Sequence, residues 1–212
     1  HVGRLPDRSQ PLPDDTVEAF KDYLARLKDD GVLTPPMESL RRRLPWLLVN
    51  LCTAFLAASV VGAFTDTIKA VVALATFMPI VAGMGGNAGT QTLAVIVRGL
   101  ALGELTWSNA RQALFKEGLV GLGNGVVNGL MGALVVWVTT GNWVLGLILM
   151  AAMIINMFVA AVAGTLIPLG LRALKVDPAL ASSVFITTFT DVFGFLSFLG
   201  LGTIFLRFLK PM

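Results

Sequence analysis

Residues 179–207 read ALASSVFITTFTDVFGFLSFLGLGTIFLR. From Ala179 to Leu206 the stretch carries one ionisable side chain, Asp191. It is longer than the roughly 20 apolar residues that carry a helix across a bilayer. Asp177 and Pro178 stand just before it, and proline suits the first position of a helix. The spacing predicts a spanning helix with a carboxylate near its midpoint.

Four further spans lie upstream. The apolar runs predict helices over about residues 45–64, 68–98, 114–139 and 143–172. The second is longer than a crossing needs. It tilts, extends beyond the bilayer or breaks, and Pro79 with Gly83-Met84-Gly85-Gly86 marks where a break falls. Residues 1–40 form a separate segment. Residues 1–13 are proline-rich and read as a linker. Val17, Phe20, Leu24 and Leu27 at helical spacing predict a short amphipathic helix over about residues 14–30. Asp15 with Glu18 gives its capping box. The fold class is therefore all-α integral membrane, with a pore domain of five transmembrane helices over residues 41–212 and the lipid bilayer as its solvent.

Composition agrees. The chain is 55% hydrophobic and 14% charged, with a mean hydropathy of +0.78. The net charge of +3 does not point to nucleic acid, because the basic residues cluster at the ends of apolar runs. Arg41, Arg42, Arg43, Arg98, Arg111, Lys116, Arg172 and Lys175 fall on one side, and Lys69, Arg207 and Lys210 on the other. The positive-inside rule puts the larger set in the cytoplasm. The N-terminus is then cytoplasmic and the C-terminus outside. Cys52 is the only cysteine and His1 the only histidine, which argues against disulfides, zinc sites and histidine catalysis. An intramembrane aspartyl protease needs paired carboxylates, and the only other Asp among the spans is Asp66, in a short external loop.

Asp191 carries the chemistry. A carboxylate at the bilayer centre costs at least about 2.5–3.5 kcal/mol. No Lys, Arg or His shares its helix within the membrane, so its partner is a proton, a cation or cavity water. Ser183, Thr187 and Asp191 recur every fourth residue, flanked by Thr188, Thr190 and Gly194. Together they make a narrow polar face, opposite Phe185, Phe189, Val192 and Leu196.

A second polar stretch is residues 79–91, PIVAGMGGNAGTQ, in which Gly83, Asn87 and Gln91 share a helix face. Unwound backbone at the glycines would free carbonyls beside the amide oxygens of Asn87 and Gln91. Alternatively, the glycines pack helices and the amides bond across them. Gly121, Gly125 and Gly129 form a small-xxx-small run that predicts close packing, with Asn124 and Asn128 as interhelical hydrogen-bonders.

Carboxylate, hydroxyl and amide oxygens suit Mg2+, Ca2+ or Mn2+ rather than softer ions. One carboxylate cannot neutralise a dication, whereas a two-fold homodimer brings two copies of Asp191. Proton-coupled transport of Mg2+ or another divalent cation stays open on these grounds.

The stretch PIVAGMGGNAGTQ, with Arg98 after it, resembles the membrane domain of the MgtE magnesium channels and transporters. So does the run from Asp177 to Asp191. The likeness covers about residues 41–207, with five helices in matching order. It implies a homodimer importing Mg2+ across the cell membrane. In that family the second and fifth helices line the pore. Asp191 then takes the central Mg2+ site, with Gly83, Gly86 and Asn87 near the path; Thr90 and Gln91 extend that face. Members usually carry cytosolic N and CBS domains, for which this chain has no room, so their gating is not expected here. Ser182-Ser183-Val184 stands where Ser-Asn-Pro is expected in several members.

Overall fold

The computed structural model describes residues 34–174 and 178–209, all in helices and short connections. The amphipathic segment expected over residues 14–30 lies outside the described residues. The chain divides into two units, residues 1–47 and 48–212. Among the described residues, five helices are long and apolar enough to cross a membrane. They are α1 (Pro36–Ala63), α3 (Ala73–Ala101), α4 (Ala110–Thr140), α5 (Trp143–Ala173) and α6 (Pro178–Ile204). Two short helices, α2 (Thr65–Ala70) and α7 (Leu206–Leu209), complete the order.

Helix α1 begins in the first unit, before its expected start and with Pro45 inside it. There Arg42 pairs with Glu38 one turn earlier. A proline removes one hydrogen bond and bends a helix without having to end it.

The second span departs most from expectation. Residues 68–98 do not form one helix. The chain turns at Val71, whose backbone is extended (φ −138°, ψ 86°), and α3 starts afresh at Ala73. Asp66 thus sits in a short helix rather than a loop. Thr67 holds that helix down: its buried hydroxyl shares a 2.8 Å hydrogen bond with Thr203 of α6. The two valines at the turn give no sequence signal, and the contact that anchors α2 comes from a residue far along the chain.

Helix α3 runs unbroken through Pro79 and Gly83–Gly86. The break considered there does not occur. In lipid every unmade backbone bond costs several kcal/mol, so the ladder is kept wherever packing allows. Packing allows it here because Gly85 and Gly89 press against α5 and α6. A Cβ on Gly89 would lie 2.4 Å from Ile186 Cγ2.

Helix α5 is the centre. Leu149, Ala152, Asn156, Ala160 and Thr165 on it are fully buried, and it packs against α4, α6 and α3. Its approach to α4 is set by glycine. A Cβ on Gly125 would lie 2.7 Å from Ile154 Cα, and one on Gly121 2.8 Å from Met157 O. Gly146 of α5 returns the fit, its Cβ position 2.7 Å from Ala133 O. Lipid tails supply no hydrophobic drive between helices, so such backbone-to-backbone contact is what holds the pair. Asn128 does not bridge helices as expected; its Nδ2 donates to Asn124 O on its own helix at 2.9 Å.

The α4–α5 hairpin closes in two residues. Gly141 adopts the left-handed region (φ 71°) and its N–H donates to Trp137 O at 2.8 Å. Asn142 then caps α5, its Oδ1 accepting from Leu145 N–H at 3.1 Å.

Candidate functional site

Helix α3 has two faces. Val81, Gly85, Gly89, Thr92, Leu93 and Ile96 are buried. Gly83, Asn87, Thr90 and Gln91 are exposed, and Gly86 is half-exposed. A Cβ on Gly83 or Gly86 would meet nothing within 4 Å. Because the helix is continuous, these glycines free no carbonyls. The face offers the side-chain oxygens of Asn87, Thr90 and Gln91 instead.

Helix α6 divides in the same way. Ser182, Ile186, Thr190 and Gly194 are buried. Ser183 is exposed, and Thr187, Thr188 and Asp191 are half-buried. Gly194 thus belongs to the packing side: its Cβ position is 2.7 Å from Asn156 Nδ2. Asp191 has no hydrogen bond or ion pair with another described residue. Among the described residues no three His, Cys, Asp or Glu side chains gather as a metal cluster. A cation at Asp191 therefore finds one carboxylate per chain, supplemented by neutral oxygens.

Three threonine hydroxyls along these faces share one feature. Thr187 Oγ1 donates to Ser183 O at 3.0 Å, Thr188 Oγ1 to Val184 O at 2.7 Å, and Thr90 Oγ1 to Gly86 O at 2.9 Å. Each proton is used on the residue's own helix. What the hydroxyl turns outward is lone-pair density, which accepts hydrogen bonds or faces a cation.

Two polar residues escape a reading of the sequence. Glu117 on α4 is 4% exposed. Its Oε1 lies 2.6 Å from Lys116 Nζ and its Oε2 accepts from Thr92 Oγ1 at 3.3 Å. With Gln91 and Asn124 they line part of a mostly apolar cavity of about 170 Å³. Lys116 stands out as a topology charge, and the adjacent acid is the available signal. Asn156 is fully buried in α5, with Nδ2 donating to Val81 O at 2.8 Å. Its signal is a lone amide inside an apolar span, where polar groups are expensive.

The family described as "Divalent cation transporter", MgtE, matches residues 78–201, which include both polar faces. The chain is similar to proteins named "Magnesium transporter MgtE". That of Bacillus subtilis is 37% identical over 190 residues, 90% of this chain and 42% of that protein. That of Enterococcus faecalis is 37% identical over 193 residues, 90% of this chain and 43% of that protein. That of Thermus thermophilus is 33% identical over 166 residues, 78% of this chain and 36% of that protein. The chain spans less than half the length of each of these relatives.

Proposed function

This chain belongs to the MgtE family of divalent cation transporters, and from that premise we propose that it imports Mg2+ through a homodimeric pore with Asp191 at its centre. The family is one of transporters, not enzymes. The observation that carries the proposal is Asp191 itself: a half-buried carboxylate in a spanning helix with no partner among the described residues.

Two protomers about a two-fold axis supply two such carboxylates, enough to balance a dication. Mg2+ gives up its water reluctantly and prefers an octahedral shell. Waters of that shell donate hydrogen bonds, and the outward lone pairs of Thr90, Thr187 and Thr188 accept them. The amide oxygens of Asn87 and Gln91 act likewise. Recognition is of the hydrated ion, with Asp191 supplying charge. Direction follows from the field. At about 2.3 kcal/mol per unit charge per 100 mV, an inside-negative potential draws Mg2+ inward with about 4.6 kcal/mol per 100 mV. With the basic ends of the helices in the cytoplasm, entry is from the end of α6 near Arg207.

The test is Mg2+ uptake into liposomes holding the protein, with a pH-sensitive dye inside. Potential-driven uptake without proton movement, abolished by Asp191→Asn, is expected. Proton counterflow matched to Mg2+ would replace the pore with coupled exchange. Uptake that survives Asp191→Asn would refute the site.

A further inference from the structure

Asn156 touches both helices that carry the candidate ion-path residues. It sits fully buried in α5. Its Nδ2 donates to Val81 O on α3 over 2.8 Å. A Cβ on Gly85 of α3 would fall 2.2 Å from that Nδ2, and one on Gly194 of α6 2.7 Å from it. The amide is clasped between two glycines, one on each helix, and only a hydrogen at each position leaves it room.

The Oδ1 of the same amide has no hydrogen-bond partner among the described residues. An apolar side chain would fill a helix junction without burying an unmet acceptor. The amide does what an apolar group cannot: its hydrogen bond is directional and fixes both the rotation and the height of α3. Its three contacts also lie beside the candidate site. Val81 and Gly85 bracket Gly83, Asn87 follows within one turn, and Gly194 lies less than one turn beyond Asp191.

We propose that Asn156 is a positioning residue for transport. Through Val81, Gly85 and Gly194 it sets the register of α3 against α6, and with it the separation of the Asn87 and Asp191 oxygens across the ion path. This rests on the pore assigned above.

The test uses the full chain in liposomes and records Mg2+ uptake against Mg2+ concentration, with thermal unfolding in detergent alongside. A packing residue changes the melting temperature and the amount of active protein, while each surviving pore keeps its half-saturating concentration. A positioning residue changes that concentration. Asn156→Ala is expected to raise it about tenfold or more, equivalent to about 1.4 kcal/mol of site affinity. Should Asn156→Ala fail to fold, Gly85→Ala/Asn156→Ala fills the vacated space with a methyl group and still lacks the directional bond. The same rise is expected of it. An unchanged half-saturating concentration in whichever of the two folds would overturn the proposal. Failure of the pore assignment is read separately, as uptake by Asp191→Asn at the wild-type level with Asn156 intact.

Discussion

The hydroxyl of Thr92 on α3 donates to Oε2 of Glu117 on α4 over 3.3 Å, linking the helix of one candidate polar face to α4. Lys116 balances the carboxylate from 2.6 Å, with its own side chain 62% exposed and that of Glu117 only 5%. Removing one member of a buried pair is far worse than neutralising both. Lys116→Ala is therefore expected to destabilise more than Glu117→Gln, which keeps an acceptor for Thr92 and needs no cation. With Lys116 largely in solvent, a loss of about 1–3 kcal/mol is expected for Lys116→Ala, well short of a fully buried pair. The double variant should recover most of it. Thermal unfolding in detergent measures all three, and a double variant no better than Lys116→Ala would show that the charge pairing is unimportant.

Asp191→Asn keeps the shape of the side chain and removes one negative charge per protomer. Unit charges at about 4 Å interact by about 4 kcal/mol at an effective dielectric of 20, and by about 1 in water. A loss of about 2.7 kcal/mol would lower site affinity roughly a hundredfold. The variant should fold normally and bind Mg2+ weakly, as isothermal titration and liposome flux will report. A carboxyl that merely packed, already protonated, would be replaced by the amide with little effect.

Asn87 and Gly125 should respond in opposite ways. Asn87 is exposed on α3, so Asn87→Ala should lower Mg2+ flux and leave melting unchanged. Gly125 has Ile154 Cα at 2.7 Å from its Cβ position. Leucine there collides with backbone, and a cost at or above the usual 1–3 kcal/mol of overpacking, roughly, is expected. If Asn87→Ala lowers melting instead of flux, Asn87 serves packing.

Ser108 lies between α3 and α4, and Asn142 between α4 and α5. Cysteines placed at each, in a Cys52→Ala background, should label from opposite sides of intact cells, Ser108 only from the cytoplasm. Labelling of both from outside would mean that α4 does not cross and that the helix count is wrong.

The spans are legible in the sequence because bilayer thickness imposes a length that hydropathy reports directly. Ends are harder. Pro45 lies inside α1 and Pro79 inside α3; α3 is packed at Gly85 and Gly89, and α1, nearly all exposed, simply continues through its proline. The Val71 turn has no glycine or proline to announce it, and the hydroxyl pair that anchors the helix before it joins Thr67 to the distant Thr203. The polar faces of α3 and α6 can be read from four-residue spacing. Spacing cannot tell which glycines face open space, as Gly83 and Gly86 do, and which are pressed by a neighbour, as Gly85, Gly89 and Gly194 are. Asn156 and Glu117 matter through partners on other helices, and a single chain read linearly does not bring those together.

Thr90, Thr187 and Thr188 each tether their proton to a carbonyl of their own helix. Such a row cannot serve as a proton wire, since a tethered hydroxyl must break its bond before it can pass a proton along. Toward chloride, which seeks donors, these three hydroxyls present only acceptors, and the side-chain amides of Asn87 and Gln91 are the donors on the same face of α3. In the proposed pore these three hydroxyls would favour a cation without carrying charge, and the net charge would be left to Asp191.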